Sequence, residues 1–138
     1  MLSRRGGKDM EGRGDSGAIL VVEDEKLVAD LAREILQRFG YSVLVVNNGR
    51  EAIDLYRQRS RDIAAVVLDM IMPEMAGGEV FQRLRAFNPQ VKVIVSSGCD
   101  RASDIEEMLQ QGAAGFIQKP YRITELAAAV GEAVAGGT

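Results

Sequence analysis

Residues 18–25 read Ala18-Ile19-Leu20-Val21-Val22-Glu23-Asp24-Glu25: five apolar residues followed directly by three acids. A short apolar run rich in β-branched residues and lacking polar alternation is what a strand buried on both faces requires. Its abrupt acidic end marks where the chain leaves the core. The period then changes. Val28, Leu31, Ile35 and Phe39 recur at spacings of three, four and four, which predicts an amphipathic helix with these four residues on its inward stripe. Gly40 follows where a helix end favours left-handed backbone.

The same alternation continues along the chain. Tyr41 to Val46 reads as a second strand ending in the turn residues Asn47-Asn48-Gly49, and Ala52, Leu55 and Tyr56 mark a shorter second helix. A third apolar run, Ile63 to Leu68, stops at Asp69; a helix from about Gly78 to Phe87 then carries Val80, Phe81, Leu84 and Phe87 inward. Val91 to Val95 is the fourth strand, ending in Ser96-Ser97-Gly98. Ser103-Asp104-Ile105-Glu106 has the form of a capping box, so the fourth helix is expected to start there and run to about Gln111. Phe116-Ile117-Gln118 is a fifth strand followed by Lys119-Pro120, and a last helix from about Thr124 to Val134 presents Leu126, Ala127, Val130 and Val134.

Five strands alternating with five helices predict an α/β fold, a parallel sheet covered by helices on both faces, because parallel strands need crossover connections. A chain of 138 residues has room for one such domain. We expect it to occupy residues 18–135, with residues 1–17 a flexible Gly/Arg-rich tail or linker remnant and 136–138 terminal residues.

Composition removes several chemistries. One cysteine and no histidine exclude an internal disulfide, a Cys/His zinc site and any catalysis by an imidazole of this chain. The net charge is -3, and residues 1–16 alone carry four basic against three acidic groups. The remainder is therefore acidic, which argues against direct binding to nucleic acid, where clustered Lys and Arg supply the affinity. No apolar stretch reaches the length of a membrane span and the first residues lack the apolar block of a signal peptide, so no membrane association is expected and the expected compartment is the cytoplasm.

In sheets of this kind ligands bind beyond the carboxyl ends of the strands, where strand order reverses. Strand one ends in Glu23-Asp24, strand three in Asp69, strand four in Ser97 and strand five in Lys119. With strand order 2-1-3-4-5, strands one and three are neighbours and three carboxylates meet at one edge. Without a cation they would repel one another and raise at least one pKa. All-oxygen ligands favour a hard divalent ion, and a small open cluster suits Mg²⁺ better than a closed calcium cage.

The stretches Ile19-Leu20-Val21-Val22-Glu23-Asp24-Glu25, Val67-Leu68-Asp69-Met70-Ile71-Met72-Pro73-Glu74-Met75-Ala76-Gly77, Val95-Ser96-Ser97-Gly98 and Phe116-Ile117-Gln118-Lys119-Pro120, in this order and spacing, resemble the receiver domain of bacterial two-component response regulators. The resemblance covers about residues 18–135. It implies a flavodoxin-like (CheY-like) three-layer sandwich with the five-stranded sheet of order 2-1-3-4-5. It further implies that Asp69 is the phosphoacceptor of a phosphorelay and that Glu23, Asp24, Asp69 and the backbone carbonyl of Ile71 hold Mg²⁺, with Mn²⁺ as the alternative ion. Lys119 and Ser97 would contact the phosphoryl oxygens, and Ser97 and Phe116 would form the switch. The implied partners are a histidine kinase or phosphotransfer protein and an unknown downstream effector. The implied output surface is the fourth helix, fifth strand and fifth helix, on a monomer or a weak dimer through that surface.

Some positions depart from the family pattern. Ala76 stands where Asp or Asn is frequent and Gly78 where an apolar residue is common. Ile71 and Cys99, two residues after Asp69 and Ser97, offer poor side chains for orienting water, so slow self-dephosphorylation is expected. Two readings of other classes remain at this point: a small nucleotide- or flavin-binding protein, disfavoured because no Gly-rich phosphate loop follows the first strand, and an Asp-dependent phosphatase, disfavoured by Ile rather than an acid at position 71. Only Gly136, Gly137 and Thr138 follow the last helix, so the chain is expected to act by contact or to be a receiver excised from a hybrid sensor kinase or larger regulator.

Overall fold

The computed structural model describes residues 17–98 and 102–136, residues 102–104 by backbone alone. Its strands are β1 Ala18–Val22, β2 Ser42–Val46, β3 Ile63–Asp69, β4 Val93–Ser97 and β5 Gly115–Gln118. Its helices are α1 Lys26–Arg38, α2 Gly49–Arg59, α3 Gly77–Phe87, α4 Ala102–Gln110 and α5 Ile123–Ala135, with a 3₁₀ turn Ser60–Asp62 after α2. All strand pairs are parallel and the order is β2-β1-β3-β4-β5. This is the doubly wound order expected from the sequence. The central strands β1, β3 and β4 are buried almost throughout while the edge strand β2 is half-buried, as burial on two faces against one edge requires.

Strand alternation sorts the core into two layers. Leu20, Val22, Val66, Leu68, Val93 and Val95 pack with Ala52, Ile53 and Tyr56 of α2, Val80, Phe81 and Leu84 of α3 and Met108 of α4. Ile19, Val21, Ala65, Val67 and Ile94 pack on the other side with Ala32, Ile35 and Leu36 of α1 and Leu126, Val130 and Ala133 of α5. Among the described residues no helix is long and apolar enough to cross a membrane.

Local signals at the helix ends hold. The Asn48 side chain accepts a hydrogen bond of 2.9 Å from the Glu51 N–H and caps α2. Gly40 has φ +93, and the N–H groups of Gly40 and Tyr41 donate to the carbonyls of Gln37 and Leu36. This pair of bonds closes α1 in the motif that calls for glycine.

Several expectations are corrected. The inward stripe of α1 is Ala29, Ala32, Ile35 and Leu36; Leu31 and Phe39 are exposed and Val28 is only half-buried. Alanines let the helix lie close to the sheet, and a pattern built on large side chains misses them. On α2, Ile53 is buried and Leu55 only partly. Phe87 does not point into the core but sits half-exposed, edge-on to Tyr56, with ring centroids 6.1 Å apart. On α5, Ala127 and Val134 are half-buried and Ala133 is the buried residue. β4 runs two residues further than expected, so Ser96 and Ser97 lie within the strand. α4 already includes Ala102, so Ser103 lies in its first turn rather than before it. Residues 1–16 of the expected tail, Cys99 and the final two residues lie outside the described residues.

Candidate functional site at the carboxyl edge of the sheet

Register brings the strand ends together. Val22 pairs with Leu68, so Glu23 leaves the sheet beside Asp69, and Asp69 pairs in turn with Ser96. Ser97 pairs with Gln118, which places Lys119 just beyond it. The Lys119 N–H donates to the Ser97 carbonyl at 3.0 Å and the Glu23 N–H to the Val46 carbonyl at 3.0 Å. These backbone bonds extend the sheet ladder one residue past the strands and fix where both side chains start.

Glu23 and Asp69 are buried, at 1% and 2% exposure, whereas Asp24 is exposed. Oxygens of all three lie within 4.8 Å of one another. The Lys119 ammonium donates to Glu23 Oε1 at 3.0 Å and lies 3.3 Å from Asp69 Oδ1 and 3.7 Å from Glu25 Oε1. The Glu25 N–H donates to Glu23 Oε2 at 3.2 Å, and the Ile71 N–H to Asp69 Oδ1 at 3.3 Å. Thus one partly buried cation faces two buried carboxylates, with two further acids at the rim.

The protonation balance follows from this count. Burial pushes Glu23 up to about 7; the Lys119 hydrogen bond counters it and the neighbouring Asp69 charge adds to it. Asp69 is also raised, by burial first, with Lys119 and the Ile71 N–H opposing. For Lys119 burial favours the neutral form, but the Glu23 hydrogen bond and the Asp69 and Glu23 charges outweigh it and hold the ammonium above its ordinary range. One lysine therefore leaves the buried acids under-neutralised. An all-oxygen set with residual negative charge and one ligand open to solvent fits a hard divalent cation.

The loop after Asp69 turns back onto it. The Met70 N–H donates to the Ser96 carbonyl and the Gly77 N–H to the Met70 carbonyl, each at 2.9 Å. A Cβ on Gly77 would stand 2.5 Å from the Asp69 carbonyl oxygen and 2.8 Å from Met70 Cα, so only glycine permits this approach. Glu74, at the outer bend, holds a positive φ of 72. Ile71 is half-exposed at the mouth.

Ser97 is buried and, with Met70, Ile71, Met72, Gln82 and Met108, lines a cavity of about 580 Å³ between α3 and α4. Phe116 is half-buried and packs against the α2/α3/α4 layer. Ser96 faces the opposite way, as alternation requires: its Oγ lies 3.0 Å from the Tyr121 hydroxyl, inside the α1/α5 layer. Burial pushes the Tyr121 phenol up to about 12, with the Ser96 hydrogen bond opposing. Sequence reasoning missed Tyr121, Glu25 as a neighbour of Lys119, and the packing reason for Gly77. The adjacent serines were the available signal for the first, since one of them had to face the other layer and find a partner there.

A family model described as the response regulator receiver domain matches residues 19–131. The response regulator MprA of Mycolicibacterium vanbaalenii is 38% identical over 110 residues, which is 80% of this chain and 47% of MprA. The chemotaxis protein CheY of Thermotoga maritima is 32% identical over 105 residues, 75% of this chain and 86% of CheY. The chain spans about half the length of the first curated relatives, 47% of MprA and 50% of an uncharacterized transcriptional regulatory protein, YkoG, of Bacillus subtilis. Among solved structures, a response regulator receiver domain protein from Clostridium thermocellum superposes with a TM-score of 0.83 over 87% of this chain and 95% of its own, at 23% identity, a likeness of fold. The receiver domain of the Francisella response regulator 1452 gives 0.80 over 88% and 99%, at 26% identity.

Proposed function

The chain belongs to the response regulator receiver domain family, a family of signalling switches rather than metabolic enzymes, and on that premise we propose that it accepts a phosphoryl group on Asp69. The observation that carries this reading is the Asp69 carboxylate itself, held at the sheet edge between the Lys119 ammonium and the Ile71 N–H. A carboxylate oxygen of Asp69 attacks phosphorus in line; the bond to the donor breaks and its electron pair leaves with the donor. With no histidine among these 138 residues, a phosphohistidine donor lies outside them, on a histidine kinase or phosphotransfer protein or domain.

The under-neutralised acids fit Mg²⁺ or Mn²⁺, which Glu23, Asp24, Asp69 and the Ile71 carbonyl would hold, Asp24 directly and Glu23 through water. When bound, the ion supplies positive charge to the transferring phosphoryl oxygens. The Lys119 side chain, now shared between Glu23 and Asp69, swings to one of those oxygens as a flexible point charge. The Ser97 hydroxyl follows a second oxygen. The product group carries about -1.5 to -2 charge and three strong acceptors, which is what draws both side chains to it.

Drawing Ser97 inward opens space behind it for the Phe116 ring and shifts the population of two packings. The surface of α4, β5 and α5 then reports the state to an effector. Ile71 at the mouth brings no group that orients water, so the phosphoryl group is retained. Acetyl phosphate tests the transfer: the label should form on the chain with Mg²⁺ present, fail to form when a chelator is present from the start, and once formed decay much more slowly than seconds. A label formed equally well in chelator, or one lost within seconds, contradicts this reading.

A further inference from the structure

The buried hydrogen bond between Ser96 and Tyr121 plays no part in the phosphoacceptor chemistry above. Ser96 is fully buried and Tyr121 is 8% exposed, and their oxygens lie 3.0 Å apart in the layer that holds Ile19, Val21, Ile117 and Leu126. Apolar residues would fill that layer with no polar group to satisfy. Either hydroxyl alone would be left without a partner at a cost in stability; together they satisfy each other. What the pair adds over an apolar contact is a fixed direction, because a hydrogen bond weakens steeply when bent.

The direction is set between two places that matter. Ser96 sits on β4 opposite Asp69 on one side and Ile117 on the other, and its carbonyl accepts from the Met70 N–H. It therefore belongs to the rigid centre of the sheet that carries the acceptor carboxylate. Tyr121 lies two residues past Lys119, in the segment that joins β5 to α5. On its other side Lys119 is tied by its own N–H to the Ser97 carbonyl. The lysine backbone is thus bracketed, by Ser97 before the turn and by Tyr121 on Ser96 after it. Lysine carries its charge on a four-carbon stem, so the place where its backbone is held bounds what its ammonium can reach.

We propose that Tyr121 and Ser96 are positioning residues that hold the Lys119 backbone so that its ammonium meets Asp69 and the phosphoryl group carried there, an inference that rests on the phosphoacceptor reading.

The test uses beryllofluoride with Mg²⁺ as the phosphoryl mimic, bound to the full chain in wild type, Tyr121→Phe, Ser96→Ala, Lys119→Ala and the pairwise combinations. Tyr121→Phe keeps the ring and removes the hydroxyl. It should weaken beryllofluoride about fivefold or more, the scale of one lost hydrogen bond, while Mg²⁺ alone binds within about twofold of wild type. Ser96→Ala should do the same and add nothing to Tyr121→Phe. In the Lys119→Ala background neither change should matter further. A second readout needs no ligand. The chain has four lysines, so the Lys119 resonance of chain labelled at lysine ¹³Cε can be assigned through Lys119→Arg, and in Tyr121→Phe it should move toward the free-lysine position. Wild-type affinity in Tyr121→Phe, an equal loss with and without Lys119, or an unmoved Lys119 resonance each overturns the proposal. Failure of the wild type to bind beryllofluoride at all overturns the phosphoacceptor reading, and this inference with it.

Discussion

Lys119 stands against more negative charge than it can balance, and the behaviour of the site follows from that. Glu23 in the metal-free fold holds its proton up to about pH 7, against 4.5 ordinarily. Between those values the folded chain binds a proton that the unfolded chain has released, so this site's contribution to stability falls as pH rises through the window. Asp69, shifted the same way, adds to the slope. Denaturant unfolding in chelator across pH 4.5 to 7 should show stability declining more steeply for wild type than for Glu23→Gln; equal slopes would contradict the assignment. Gly77 is the second residue whose role is decided by position. The side chain of Gly77→Ala has no space against the Asp69 carbonyl, and the backbone shift should cost about 1–3 kcal/mol, measured by denaturant midpoint. That Glu23, Asp24, Asp69 and Lys119 meet at one edge was legible because Glu23 and Asp69 directly end apolar runs and Asp24 and Lys119 lie just past strand ends. Tyr121 and the packing at Gly77 were not, because their partners lie 25 and 8 residues away and only the folded sheet brings them near.

At the scale of elements, what the sequence showed best was which segments are strands, and what it showed least well was which helix face is buried. The runs at β1 and β3 are short, rich in β-branched residues and apolar until the acid, which marks buried strands. On α1 the large residues Leu27, Leu31 and Phe39 are 83%, 39% and 52% exposed while Ala29 and Ala32 are buried. Large apolar residues dominate a periodicity count, but the face laid on a sheet is set by how closely the backbone must approach. Leu36→Ala should therefore cost about 3 kcal/mol by denaturant unfolding, through the lost contacts and the cavity left in the α1/α5 layer. Leu27→Ala should change stability by under about 0.5 kcal/mol. A reversal of that ranking would mean the packed face is misassigned. The same reasoning explains β4: the sequence marked Ser96 as the start of a turn, yet Asp69 and Ile117 pair with it on both sides, and a strand continues while its neighbours do.

For the whole molecule, the strand order is the fact from which the site follows. In the order β2-β1-β3-β4-β5 the chain crosses from one face of the sheet to the other next to β1 and β3. The residues leaving those two strands meet there, Glu23 and Asp69 buried under Lys119 and Asp24 open to solvent. Glu23 and Asp24 come from one end of the chain, Asp69 from its middle and Lys119 from near the other end, so no single segment carries the function. Phosphoryl acceptance on Asp69 is the central claim, and intact-protein mass measurement after incubation with acetyl phosphate and Mg²⁺ tests it most directly. The account predicts a gain of one phosphoryl group on the wild-type chain that persists after the donor is removed and is absent from Asp69→Asn. A gain that survives in Asp69→Asn, or steady release of phosphate with no gain on the wild-type chain, would contradict it.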